Sequence, residues 1–211
     1  MTTLPLVSVF THALQGHPCT VWDGDLTPQP LPTHHWLAGA GEADRVVLAH
    51  CQGPTLDIGC GPGRMAEALA LAGHAVLALD VVPEAVRQAR LRGVPALLRS
   101  VFDALPGEGR WESALLADGN IGIGGDPVAL LERVCELLAP GGRVVVDVAP
   151  WGRGVVTRHV RLETVHGRSG LFPWTTVGAD AISAVAHAAG LGHATGYRYA
   201  DRWWAVVEAR P

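Results

Sequence analysis

The chain of 211 residues contains no lysine; its sixteen basic residues are all arginine. Isoleucine is scarce beside valine, leucine and alanine, a bias that reads as the codon usage of a GC-rich genome and not as a functional device. No apolar run reaches the ~20 residues needed to cross a bilayer, so no membrane-spanning helix is expected. The four cysteines, Cys19, Cys51, Cys60 and Cys135, lack CxxC spacing. They read as reduced thiols serving packing, not as a disulfide framework or a soft-ligand site. The histidines His12, His17, His34 and His35 show no regular ligand spacing, and no metal is expected. The first residues hold no charged segment followed by an apolar stretch, so no signal peptide is expected and the protein reads as cytoplasmic. A net charge of −4 gives no reason to expect a nucleic-acid or anionic-membrane partner.

What the chain has is a rhythm. From residue 55 onward, short Val/Leu/Ala runs alternate with amphipathic stretches that begin at proline and end at glycine. Strands are predicted at 55–58, 75–79, 96–101, 113–117 and 143–148, with helices at 62–72, 83–92 and 127–138. Apolar runs without alternation suit strands buried on both faces, and repeated strand–helix units imply a doubly wound α/β fold. A helix at 180–189 and two strands, 193–199 and 203–208, predict a carboxyl-terminal hairpin. Ahead of this core, the sequence predicts a helix at 6–14, a hairpin with Cys19 to Trp22 on one arm and the turn Asp23-Gly24-Asp25, and a helix at 42–50. Residues 151–175 are rich in Gly and Arg. The expected organisation is a single compact domain, with an amino-terminal cap segment over 1–50 and the alternating α/β unit over 51–211.

The most informative segment is Thr55-Leu-Asp-Ile-Gly-Cys-Gly-Pro-Gly63. Glycines at 59, 61 and 63 allow a sharp turn and a close ligand approach, and the helix that follows aims free N–H groups at the ligand. Asp80, closing the next apolar run, is placed to accept ribose hydroxyls. This is a cradle for an adenosyl nucleotide. A dinucleotide fingerprint needs a small residue three positions after Gly61, but Arg64 stands there, which favours S-adenosylmethionine (SAM) over NAD or FAD.

Together with the segment Leu138-Ala-Pro-Gly-Gly-Arg143, this layout resembles the class I SAM-dependent methyltransferases over roughly residues 40–209. The run Leu116-Ala-Asp-Gly-Asn-Ile-Gly-Ile-Gly-Gly-Asp-Pro127 and the later Phe172-Pro-Trp174 are similar to a small bacterial group of unassigned substrate. The resemblance implies a Rossmann-like, seven-stranded, mostly parallel sheet with an antiparallel carboxyl-terminal strand. It implies Asp57, Gly59, Cys60, Gly61 and Gly63 around the amino-acid end of SAM, and Asp80 and Val81 at ribose and adenine. It further implies Phe102 and Asp103 beside the adenine, and Asp118 near the sulfonium.

Methyl transfer from a sulfonium needs alignment and exclusion of water, and a general base only where the acceptor starts protonated. The candidate bases are His34, His35 and Asp118, with Asp23 and His12 behind them. Arg153, Arg158, Arg161 and Arg168 suit either an anionic acceptor or a solvent-facing strand, and the strand is the stronger reading. Trp22, Trp36, Trp151 and Trp174 fall outside the core sheet and suit an apolar or planar small-molecule acceptor. The expected protein is a monomer or homodimer that methylates a small molecule and releases S-adenosylhomocysteine (SAH). A non-catalytic SAM-binding sensor or partner subunit is the alternative, followed by an aminopropyltransferase-type enzyme.

Overall fold

The computed structural model describes residues 1–24 and 27–210. Asp25 of the expected hairpin turn lies outside the described residues. In chain order the elements are β1 (Thr3–Leu4), α1 (Leu6–Leu14), β2 (Thr20–Asp23), β3 (Gln29–Pro30), α2 (Thr33–Leu37) and α3 (Glu42–Leu48). The alternating core follows with β4 (Thr55–Ile58), α4 (Arg64–Leu71), β5 (Val76–Asp80), α5 (Pro83–Leu91), β6 (Ala96–Leu98) and β7 (Trp111–Leu116). A kinked 3-10 segment, Asn120–Gly125, leads into α6 (Pro127–Leu137) and β8 (Leu138–Val148). The chain then runs through β9 (Val155–Thr164), β10 (Gly167–Ser169), β11 (Phe172–Val177), α7 (Ile182–Ala188), β12 (Ala194–Tyr199) and β13 (Arg202–Glu208).

Seven strands form the main sheet in the order β12-β13-β8-β7-β4-β5-β6. Strands β6, β5, β4, β7 and β8 are parallel, while β13 is antiparallel to both β8 and β12. The α/β class, the doubly wound parallel core and the antiparallel carboxyl-terminal strand agree with the sequence reading. Burial explains why alternation was weak in the sequence. Ala114, Leu116, Val144 and Val146 pack on one face with α6 and α7. Their neighbours Leu115 and Val145 pack on the other with α3 and α4. Both faces are dry, as helices on each side of a parallel sheet require. Trp204 is buried in the second layer, whereas the Arg198 guanidinium lies 5.1 Å from the ring of half-buried Trp203.

Two boundaries differ from expectation. The third strand stops at Leu98 and not near 101, because the chain turns there, with the Asp103 carboxylate accepting the Ser100 N–H at 3.0 Å. The fifth begins at Leu138, which pairs with Trp111 across a register shift.

The larger difference is a second sheet, β1-β10-β9-β2-β3, with β11 pairing with the first half of β9 on the edge opposite β2. It joins the amino-terminal hairpin to the Gly/Arg-rich stretch after β8. Strand β9 carries buried Val160 and Leu162 between more exposed His159, Arg161 and Glu163, the alternation of a sheet with one covered face. Its central partner β2 lies far away in sequence, so no local signal announces the pairing. Helix α3, inside the expected 1–50 cap, packs on α4 and the main sheet, while α1 and the strands before it belong to the second sheet.

Candidate active site

The second sheet and α1 cover the carboxyl-terminal edge of the main sheet, and between them lies a cavity of about 600 Å³. Its two walls differ in chemistry. The floor is the end of β4 and the turn after it, from Asp57 to Pro62, with Arg64, together with Asp80 to Val82, Arg99 to Val101 and Asp118. The cover contributes apolar side chains, among them Phe10, Leu14, Trp36, Leu162, Phe172 and Trp174.

Left-handed glycines shape the floor. Gly63, at φ +88°, starts α4, and an added Cβ there would stand 2.8 Å from the Ala89 Cβ. At Gly61 an added Cβ would meet nothing within 4 Å, so that stretch of backbone borders open space. The Asp80 carboxylate is fixed from both sides, accepting the Gly61 N–H at 2.9 Å and the Val82 N–H at 2.8 Å. Burial raises its pKa in spite of these amides.

Below the turn sits a chain of buried charges. Arg64, 2% exposed, binds both oxygens of Asp118, at 2.8 and 2.6 Å, and pairs with Asp44 of α3. Arg202 of β13 pairs with the same Asp44 and holds Asp147 of β8 at 3.0 and 2.6 Å. Burial alone would raise the Asp44 carboxyl, but the Arg64 contact and the Gly41 amide hold it below the usual carboxylate range. Asp147 in turn accepts the backbone N–H of Asp118 at 2.7 Å. Asp118 has φ +54°, a conformation costing a non-glycine residue of order 1–3 kcal/mol, and these contacts hold it there.

Asp57 is different. It is 1% exposed, lines the cavity, and among the described residues its Oδ2 has no hydrogen-bond partner. Burial, reinforced by the negative charge of Asp118, pushes its pKa up to about 7. A buried acceptor without a partner, on a residue that lines a cavity, is a place for a cationic donor. The donor set therefore fits an adenosyl amino acid: an open carboxylate for an ammonium group, a glycine turn without side chains, and a fixed carboxylate at the end of β5.

Of the residues expected at the site, Asp57, Gly59, Cys60, Gly61, Asp80, Val81 and Asp118 line the cavity. Gly63 does not line it; it packs on α5. Phe102 and Asp103 do not line it either; Phe102 is 48% exposed and neighbours Gly124, and Asp103 closes its own turn. The preceding residues Arg99, Ser100 and Val101 stand there instead. His34 and His35 are exposed on α2 and are not among the lining residues, whereas Trp36 of the same short helix is. Among the described residues no histidine lines the cavity. The His12, His17 and His166 rings meet elsewhere, with His166 4.4 Å from each of the other two. Among the described residues no group of three or more His, Cys, Asp and Glu side chains is arranged to hold a metal ion, and no helix is long and apolar enough to cross a membrane. Burial pushes the Cys51 thiol up to about 12 and Cys60 well above its ordinary value, so both are inert packing groups. Arg158 pairs with Asp23 at 3.0 Å and the Arg161 guanidinium lies 5.6 Å from the Trp22 ring, on strands that are partly exposed.

Sequence reasoning missed Asn120 and Arg64 as organisers of the floor. The Asn120 amide donates to the carbonyls of Ile58 and Gly59, both at 2.8 Å, tying the loop after β7 to the glycine turn. The signal for Arg64 was present: a long cation where a small residue was expected needs buried carboxylates nearby.

A doubly wound sheet of this strand order, with a glycine turn after β4 and a carboxylate ending β5, defines the class I SAM-dependent methyltransferase fold. Residues 55–142 match the family described as "Methyltransferase domain". It is 35% identical over 132 residues to the ubiquinone biosynthesis O-methyltransferase of Xylella fastidiosa (strain M23), an alignment covering 60% of this chain and 53% of that protein. The chain thus spans about half the length of the curated relatives it matches. The structure of a SAM-dependent methyltransferase from Bacteroides fragilis, solved with SAH, superposes with a TM-score of 0.80 at 20% identity, covering 100% of this chain and 98% of that one. The 1,6-didemethyltoxoflavin-N1-methyltransferase of Burkholderia thailandensis gives a TM-score of 0.58 at 21% identity, covering 80% and 77%.

Proposed function

We propose that the protein binds SAM on the cavity floor and catalyses transfer of its methyl group to a small apolar, planar acceptor held under the second sheet, leaving SAH. The observation that carries this reading is Asp57, buried in the lining of a cavity whose opposite wall is apolar, with its Oδ2 unpartnered among the described residues. Asp57 takes the ammonium group, Asp80 the ribose hydroxyls, and Val81 and Val82 with Arg99 to Val101 border the base. Bound SAM supplies an electrophilic methyl group on a sulfonium sulfur. The chain's own work is to orient and to keep water out. Asn120 and Arg64 hold the glycine turn and Asp118 in place, and Leu162, Phe172 and Trp174 exclude solvent from the acceptor side.

Asp118 is the titratable group nearest the expected sulfur end, but both of its oxygens are engaged by Arg64. With no histidine lining the cavity among the described residues, the site suits an acceptor whose nucleophilic atom is readily available, such as an acidic ring hydroxyl or a neutral amine. The named activity of the Xylella relative, O-methylation in ubiquinone biosynthesis, is compatible with a planar phenolic acceptor. We take the protein to be cytoplasmic, a monomer or homodimer, without nucleic-acid or membrane partners.

Calorimetric titration with SAM and SAH, followed by incubation with a metabolite extract and methyl-labelled SAM, tests the assignment. Micromolar binding and a labelled small molecule are expected. Absence of SAM and SAH binding would overturn the cofactor assignment. Binding without any labelled product across a broad panel would instead make the protein a SAM sensor.

A further inference from the structure

Trp174 lines the 600 Å³ cavity and also a second chamber of about 230 Å³ that is itself half open to solvent, whose walls include Gly119, Ile121, Val148, Ala149, Thr176 and Val177. Nothing in the proposed reaction uses this chamber or explains the glycine run at 119–125. Packing explains the run. A Cβ added to Gly122 would stand 2.8 Å from the Trp174 Nε1 and Cε2 and 2.6 Å from the Thr175 carbonyl oxygen. One added to Gly125 would stand 2.5 Å from the Pro173 Cβ. The Thr175 hydroxyl donates to the Gly125 carbonyl at 2.5 Å and lies 2.7 Å from the Thr157 hydroxyl oxygen. The glycines are therefore a seat cut for β11, and they fix the indole at the boundary between the two spaces.

The chamber has little to offer a polar ligand. Its carboxylate, Asp147, is committed to the Asp118 amide and to Arg202, and its Thr175 hydroxyl is bonded. Apart from the exposed Thr176 and the Trp174 ring, the remaining walls are glycine and aliphatic groups, which suit an uncharged hydrocarbon substituent. Opening it would add more than a third to the space beside the floor.

We propose that Trp174 is the residue that sets acceptor length: its indole is the end wall of the acceptor site, and the chamber behind it is a subsite, closed by that ring, for an alkyl substituent on a planar acceptor. This rests on the methyltransferase reading for the identity of the larger cavity, but the wall is measurable by binding alone. Wild type, Trp174→Ala and Trp174→Phe are titrated with 4-alkylphenols from methyl to octyl, with and without SAH. Wild-type affinity is expected to rise with chain length and then fall as the chain meets the indole. Trp174→Ala is expected to keep rising and to bind 4-octylphenol at least tenfold more tightly than wild type, with Trp174→Phe between them and SAH affinity within twofold throughout. If Trp174→Ala does not fold, the Trp174→Phe shift alone carries the comparison. The same chain-length dependence in all soluble variants, or no phenol binding to any, would overturn the proposal. Loss of SAH binding by the wild type would overturn the cofactor assignment while leaving the wall to be read from the phenols.

Discussion

The floor and the cover of the cavity are held by opposite means. The floor is a lattice of buried charge, in which two arginines, Arg64 and Arg202, are shared among Asp44, Asp118 and Asp147. The cover is an apolar sheet: Val9, Ala13, Cys19 and Leu162 form its core, and its ion pair Asp23–Arg158 is exposed at the margin. Geometry matters on the floor, where charges must be placed within tenths of an ångström. Shape matters in the cover, where any side chain of suitable volume excludes water. Substitutions on the floor are therefore expected to cost more than substitutions in the cover.

The sharpest way to break this contrast is Arg64→Ala. It removes the bidentate partner of Asp118 and leaves the buried Asp44 to Arg202 and the Gly41 amide alone, and is expected to cost roughly 3–5 kcal/mol. Thermal melting reads this directly; a melting point within a few degrees of wild type would mean that the floor is not held by its charges. Gly63→Ala comes next. Its left-handed φ and the 2.8 Å approach to Ala89 are expected to cost about 2–4 kcal/mol in urea denaturation. Asp80→Ala is expected to leave the fold nearly intact while weakening SAM about 10- to 100-fold by calorimetry, the equivalent of losing one or two hydrogen bonds to a charged group.

Asp57 gives a pH signature. Its folded pKa, raised to about 7 by burial and by Asp118, lies above the value of an unfolded carboxyl. Its contribution to stability is thus fully present below the unfolded pKa and is lost as pH rises through 7. A bound ammonium group reverses the preference, so affinity for SAH is expected to strengthen between pH 6 and 8, and Asp57→Asn to flatten both profiles. A parallel pair of profiles in wild type and variant would remove Asp57 from the ammonium site. The smallest effect belongs to the cover: Asp23→Ala breaks a partly exposed ion pair and is expected to change stability by less than about 1 kcal/mol.

The same division explains what could be read from the sequence. The floor elements announce themselves locally. Pro83 and Pro127 at helix starts, Gly73 and Gly93 after helix ends, and dry Val/Leu runs all report structure within a few residues, and the main strands and helices fall within a few residues of their expected bounds. The glycine turn and Asp80 were legible for the same reason. The second sheet was not, because β9 finds its partners in β2 and β11 and its own pattern of Arg, Thr and Val is that of any half-covered strand. His34 and His35 were expected over the cavity because they lie in the cap. A five-residue helix presents only one side to the cavity, and Trp36 occupies it. Asp118 was expected near the ligand, but its arginine partner was invisible until α4 and β7 were brought together.

The pairing of Val21 with Leu162 joins residues about 140 positions apart in the chain. Contacts of that span form late, since a long loop must be closed before any bond rewards it. During synthesis the glycine turn and Asp80 are therefore made, and can come together, before β9 exists to close the acceptor side. A newly made chain passes through a stage in which one substrate's berth exists and the other's does not.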